Sequence, residues 1–516
     1  MQEERKTKKI ASNTIILFIR MMAIMVINLY AVRVVLNGLG QEDYGIFNAI
    51  AGVVLTSTFI SSSLAIAIQR FYSFALGQHQ SDRLQSIFSA SINIVVVLAV
   101  IIIVVFETAG IWFIEHRMTI PLYRMDAVHW LFQMALFTFT LSFLQIPFTA
   151  SIFANEDMGY YAGISFLECI GRLLVALLIA SAPLDRLMFY SSGLLLVALL
   201  TFSSYGALAI YKYGYCRYNK IKDKGIYKQL LSFSGWTIYG TFTGVGLIQG
   251  HAILLNMFFG PLANAAFSIA NQAYNAFNTL SNSIVLAFRP AMIKAYSGED
   301  KSYLDTLFQI SNKFILYLLI AVSIPFICET REILYLWLGR HNTTELTVLM
   351  TRLFAVYCVC QTIHNPITII IQATGKIKYY YSCVESVTVL AIPVSWLLFH
   401  LRFPVFFGFV SIIAFCIFAH GLRLAFLKHY YSSFNLCHYI MQFILPATIV
   451  AAAVLFITRY ARELFHAESA GYLLQIFLVF ATSVPSTLVL TYLLGLTHTE
   501  KQELRNYVKG IARKYL

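Results

Sequence analysis

Arg20, Arg33, Arg70 and Arg289 are cations set in or beside long apolar stretches. A charge at mid-bilayer costs roughly 2.5–3.5 kcal/mol on insertion scales, so such groups face protein or water. Arg20 has Asn13 seven residues before it and Asn28 eight after it, close to one helical face. Two readings stand. Either this face lines a hydrated, positively charged cleft that would attract phosphate oxygens, or Arg20 snorkels to the membrane surface. Asn48, Gly52, Thr56, Ser63 and Arg70 repeat the pattern in the next apolar stretch. The clearest stripe is Asn264, Ser268, Asn271, Asn275, Asn278, Asn282 and Arg289, with spacings of 4, 3, 4, 3, 4 and 7 that form one continuous helical face. Amides donate and accept hydrogen bonds, which suits a hydroxyl-rich ligand. The alternative is that they join neighbouring helices.

The acids are sparser. Glu168 and Arg172 are four apart and can pair with each other. Lys313 and Glu385 are lone charges that either pair across helices or couple an ion. His251 is either a satisfied core residue or a proton carrier. Gly240/Gly244 and Gly246/Gly250 are GxxxG pairs, read as close packing or as a bending point. In His364-Asn365-Pro366 the proline frees a backbone carbonyl mid-membrane.

The elements that must position these residues are fourteen apolar spans: 13–36, 46–68, 88–113, 128–150, 159–181, 187–211, 230–257, 263–287, 307–328, 349–372, 379–399, 404–427, 439–457 and 471–494. Each is long enough to cross a bilayer. The fold class is therefore an all-α integral membrane protein. Of the 516 residues, 59% are hydrophobic and only 12% charged, about half the charge of a soluble chain. Mean hydropathy is +0.72. The basic start resembles a signal peptide, but its apolar run is long and no small-residue cleavage site closes it, so it reads as an uncleaved first span. The net charge of +13 reports membrane orientation rather than nucleic acid. On this reading 24 Lys and Arg, Arg70 and Arg423 among them, fall on the side of the N-terminus and 10 on the other. Both termini are expected in the cytoplasm.

The halves repeat. Gly40 and Phe47 match Gly260 and Phe267 at an offset of 220, and Arg70 ahead of Gly77 matches Arg289 ahead of Gly298. The expected organisation is a six-helix lobe over 1–212, a basic linker over 213–229, a second lobe over 230–428 and an added hairpin with a basic tail over 429–516. The lobes are expected to be parallel repeats about an axis along the membrane normal, a transporter design. No metal-ligand spacing, phosphate-binding loop or catalytic constellation appears, so no cofactor and no enzymatic activity are expected.

The segment Arg33-Val34-Val35-Leu36-Asn37-Gly38-Leu39-Gly40-Gln41-Glu42-Asp43-Tyr44-Gly45 resembles, with a two-residue insertion, the R-x-L-G-x-x-x-Y-G signature of bacterial polysaccharide-repeat flippases. Ala373-Thr374-Gly375-Lys376 resembles a recurring turn of the same group. These are the Wzx-type lipid-linked oligosaccharide flippases, in the MOP superfamily with the MATE drug exporters. The resemblance implies a two-lobe alternating-access fold in the bacterial inner membrane. It also implies export of undecaprenyl-diphosphate-linked sugar units for O-antigen or capsule. On that expectation Arg20, Arg33, Arg70 and Arg289 bind the diphosphate, and Asn271, Asn275, Asn278 and Asn282 face the sugar. Glu168, Glu385 and His251 are candidates for coupling to H⁺ or Na⁺. Expected partners are a polysaccharide polymerase and glycosyltransferases. The rivals are a MATE-type multidrug exporter, which would want cleft acids, and a membrane polymerase or ligase, which would want more outer loop than Glu329 to Arg352 supplies.

Overall fold

In hydrocarbon every backbone N–H and C=O must find its partner within the chain, and only helices achieve this segment by segment. The computed structural model describes residues 2–55, 58–78, 80–117, 121–182, 185–221, 225–340, 343–465, 471–497 and 500–502, and no strand occurs among them. Thr56, most of the basic tail, and the side chains of Asn48 and Asn264 lie outside the described residues.

Thirteen helices among the described residues are long and apolar enough to cross a membrane, from Ser12–Leu39 to Tyr472–Gly495. The fourteenth expected span, span eight, is present as helix 261–297 but is not apolar enough to join them. Its amide stripe is the reason. The helix is continuous with span seven, Gly225–Leu255, except at Gly260, whose φ of 79° and ψ of −176° break the run. That conformation is open essentially to glycine alone.

The chain forms two compact units. One comprises residues 1–242 with 286–300, the other 243–285 with 301–516. In the first unit, span one packs on span five, Met158–Ser181. In the second, the added hairpin, Leu436–Leu464 and Tyr472–Gly495, packs on span nine, Lys301–Cys328. Arg462 fastens it through ion pairs to Glu329 at 3.0 Å and Glu332 at 2.9 Å. Gln475 donates to the same buried Glu329 at 3.0 Å.

Local backbone geometry recurs between the halves. Gly40 and Gly260 both have positive φ, 84° and 79°. Gln78 N–H donates to the Phe74 carbonyl at 3.1 Å and Gly298 N–H to Lys294 at 2.9 Å. Gln80 N–H donates to Ala75 and Asp300 N–H to Ala295, both at 3.0 Å. Span four breaks before the helix Ile146–Ala154, with Pro147 in its first turn, and span ten breaks before Asn365–Thr374, with Pro366 there. Each proline lacks the N–H that would continue the preceding helix.

The turn that follows span two meets the turn that follows span eight inside the first unit. A Cβ on Gly77 would lie 2.6 Å from the Lys294 carbonyl oxygen. A methyl there must displace backbone. Gly77→Ala should lower stability by about 1–3 kcal/mol through overpacking, and Gly260→Ala by about 1–3 kcal/mol through backbone strain. Thermal unfolding of the purified protein in detergent reads both, and unchanged melting for either variant would contradict the assignment.

Candidate functional site

Span one's polar face is met by span five. Asn13 Nδ2 donates to the Glu156 carbonyl at 2.9 Å. Arg20 donates through Nε to Ser165 Oγ and through its terminal nitrogen to Tyr161 Oη at 3.3 Å. Its guanidinium carbon also lies 4.5 Å from the Tyr161 ring centre. Cys169 Sγ lies 3.8 Å from Asn28 Oδ1. The seven- and eight-residue spacing read from the sequence thus becomes a helix–helix seam. Arg20 stays half-exposed in it.

Arg70 is buried near the end of helix Thr58–Gly77, so it leaves the loop tally of positive charge. Its guanidinium lies 4.8 Å from the Phe71 and Phe74 ring centres and 5.3 Å from that of Phe233. Ring faces so placed attract and hold a cation. Tyr296, from the end of span eight, lies within its electrostatic reach. Arg289 is half-buried on span eight, in the same unit. Arg70 and Arg289 thus lie on the two helices that lead into the packed turns at Gly77 and Gly298, while Arg20 is held by span five. Arg33 is exposed at the far end of span one.

The amide stripe belongs to the second unit. Ser268, Asn275 and Asn282 are exposed, and Asn271 and Asn278 are half-buried. Asn282 Nδ2 donates to Asn278 Oδ1 at 3.3 Å. That link runs along the helix and ties no second helix to it.

The candidate coupling residues all have protein partners. Glu168 pairs with Arg172 at 2.7 Å across one helical turn. Glu385, on span eleven, pairs with Arg423 of span twelve at 3.2 Å and accepts from Thr243 Oγ1 at 3.4 Å. Arg423 Nε also donates to Tyr380 Oη at 3.3 Å. Arg423, expected with the cytoplasmic loops, is 4% exposed inside helix Phe407–Tyr430. His251 Nδ1 lies 2.8 Å from the Leu247 carbonyl, which can only accept. Nδ1 therefore carries a proton, and Nε2 lies 2.9 Å from the Ser395 hydroxyl. Beside it, a Cβ on Gly250 would meet Ile392 at 2.7 Å, whereas Gly244 and Gly246 have open space. Close packing thus explains Gly250 alone of these three.

Two pairs were not legible as pairs. Arg423 shares no helical period with Glu385. Lys313, buried in span nine, binds both carboxylate oxygens of Glu500 at 2.6 and 2.9 Å. Burial would raise the Glu500 carboxyl, but Lys313 and the Thr497 N–H hold it below the ordinary glutamate value. Among the described residues no cluster of His, Cys, Asp or Glu suits a metal.

Breaking a buried ion pair strands a charge and costs about 3–5 kcal/mol, whereas apolar replacement of both partners is often neutral. Glu385→Leu alone should lower the melting temperature sharply. The double variant Glu385→Leu/Arg423→Met should recover most of the loss, and additive losses would show that the two side chains act independently.

No family model and no curated protein matches this chain. Solved structures do. The chain is similar to a multidrug resistance MATE family transporter of the MOP superfamily in an outward-facing conformation, with TM-score 0.73 and 13% identity, covering 83% of this chain and 96% of that one. A MOP superfamily transporter from Pyrococcus furiosus, described as having a binding pocket of reverse polarity, gives TM-score 0.71 and 13% identity over 82% and 95%. A mutant of the Vibrio cholerae MATE transporter VcmN gives TM-score 0.64 and 16% identity over 84% and 98%. The fold is that of the MATE transporters.

Proposed function

We propose that this protein is a flippase that moves an undecaprenyl-diphosphate-linked oligosaccharide from the inner to the outer leaflet of the bacterial inner membrane. It would do so by alternating access, for O-antigen, capsule or exopolysaccharide synthesis. The observation that carries the reading is the amide face of span eight. Exposed amides facing hydrocarbon would lose their hydrogen bonds to water at several kcal/mol each. A face that keeps Asn275 and Asn282 exposed is explained by water and a hydroxyl-rich substrate. Arg70 and Arg289, with Arg20 and Arg33, supply the cations that a diphosphate wants. A MATE-type exporter of cationic drugs takes the same fold. Against it, residues 12–39, 44–77 and 225–297, which hold spans one, two, seven and eight, contain no Asp or Glu.

The engagement of Glu168 by Arg172, Glu385 by Arg423, and His251 by Leu247 and Ser395 favours a drive without a dedicated co-ion. Carrying about two negative charges outward across 100 mV, from a negative interior, releases roughly 4–5 kcal/mol. Proteoliposomes with an imposed potential and no H⁺ or Na⁺ gradient should flip the lipid-linked substrate. Asn275→Leu/Asn278→Leu should abolish flipping while leaving folded protein at its normal level. Potential-independent transport, or loss of folded protein in the double variant, would overturn the respective parts of the reading.

The basic bias of alternate connections supports cytoplasmic termini. Reporter fusions at Tyr218 should report cytoplasm and at Thr343 the outside. The opposite result would invert the topology.

A further inference from the structure

A cavity of about 250 Å³ opens in the second unit, where the added hairpin meets span nine. Its wall has two chemistries. One is aromatic: Phe308, Phe434, Tyr439 and Phe443 pack ring against ring, with Phe308 and Tyr439 stacked at 6.1 Å. The other is polar and neutral, led by Gln309, Asn312 and Gln442. Of the acidic and basic side chains in the lining, the exposed His438 has no side-chain hydrogen bond among the described residues, while the other two are engaged. Asp305 accepts from Tyr431 Oη at 2.9 Å, and Lys313 is held by Glu500.

Two buried polar atoms at this wall have no protein partner. Asn312, 3% exposed, donates from Nδ2 to the Phe308 carbonyl at 2.7 Å, yet its Oδ1 accepts nothing. Tyr439, 5% exposed, has an Oη without a hydrogen bond. Buried polar atoms are nearly always satisfied, so these two, closed to a water-sized probe here, would gain a partner from a guest only if the cavity wall shifted. Span thirteen also opens on a π-helical turn, Ile440–Ile444, immediately after Tyr439 and including Phe443. A π-turn rotates the side chains that follow it and is frequent at functional sites.

We infer that this cavity is a binding site for a single neutral sugar ring. A hexose presents an apolar face of C–H groups to an aromatic wall. Its hydroxyls both donate and accept, which suits the exposed amides of Gln309 and Gln442. An anion would have to displace Glu500 from Lys313 or rely on the exposed His438 alone, and a cation would have to displace Tyr431 from Asp305. The volume lies just below that of drug-sized pockets, which limits the guest to about one ring. This site lies between span nine and the added hairpin, apart from the amide stripe of span eight, and does not depend on the transport reading. The sugar arrives free or as the headgroup of a glycolipid.

The test uses full-length protein in nanodiscs and a photoreactive glucoside in two forms, free and carried on a diacylglycerol. Crosslinked peptides are mapped by mass spectrometry. Labelling should concentrate in 305–317 and 433–443. Excess glucose should reduce it at least fivefold, and so should Gln309→Ala/Gln442→Ala, two exposed positions whose change should leave the melting temperature intact. Labelling by the lipid-borne probe alone assigns a glycolipid headgroup, and labelling by both assigns access to free sugar. Either upholds the site. Competition by pyrophosphate or choline in place of glucose, labelling unmoved by the double variant, or no labelling at all would overturn it. Asn275→Leu/Asn278→Leu should keep full labelling, which separates this inference from the transport reading.

Discussion

Hydrocarbon offers no hydrogen bonds, so every polar side chain in a span must be answered by the protein, by water or by cargo. This constraint orders the molecule. Arg20 is answered by Ser165 and Tyr161, Glu385 by Arg423, His251 by Ser395 and Lys313 by Glu500. Each answer joins two helices, so polar residues act as rivets within a unit. Where the answer is missing along the exposed amides of span eight, water or cargo is the economical explanation.

The same constraint decides what was legible in the sequence. Spans were visible because apolar length is a local property. Gly40 and Gly260 were visible as a repeat because a positive-φ turn demands glycine, and Pro366 because proline breaks a helix wherever it falls. Pro147 carries the same signal at the matching place. Pairing across helices was not visible: Glu385 and Arg423, or Lys313 and Glu500, share no period and meet only once tertiary structure places them. Nor did the polar face of span one reveal whether it would meet water or span five. Spacing fixes which residues share a face, but not what that face touches. Span eight shows the converse. Its stripe was plain in the sequence, and the same stripe keeps it from reading as an apolar helix.

The repeat conserves backbone and lets side chains diverge. After the proline-broken helices, Glu156 and Gly375 both adopt positive φ, 60° and 76°. Glycine takes that conformation without penalty. A glutamate pays for it with roughly 1–2 kcal/mol of steric strain. Here its carboxylate binds Lys294 at 2.8 Å and its carbonyl accepts from Asn13. One half has thus turned a generic turn into a junction of span one, span five and the end of span eight, while the other keeps glycine there.

The burial of Arg423 has a consequence for biogenesis. Arginine is among the costliest residues for the insertion machinery to release into lipid, and this one lies inside span twelve. Its partner Glu385 stands in the preceding span and is synthesised first. The two spans form one short hairpin, 378–430. If they leave the translocon together, the ion pair can form at the lateral gate and neither charge meets lipid alone. The order of the residues along the gene then doubles as an order of assembly, with the acid waiting in the channel for the base that follows it.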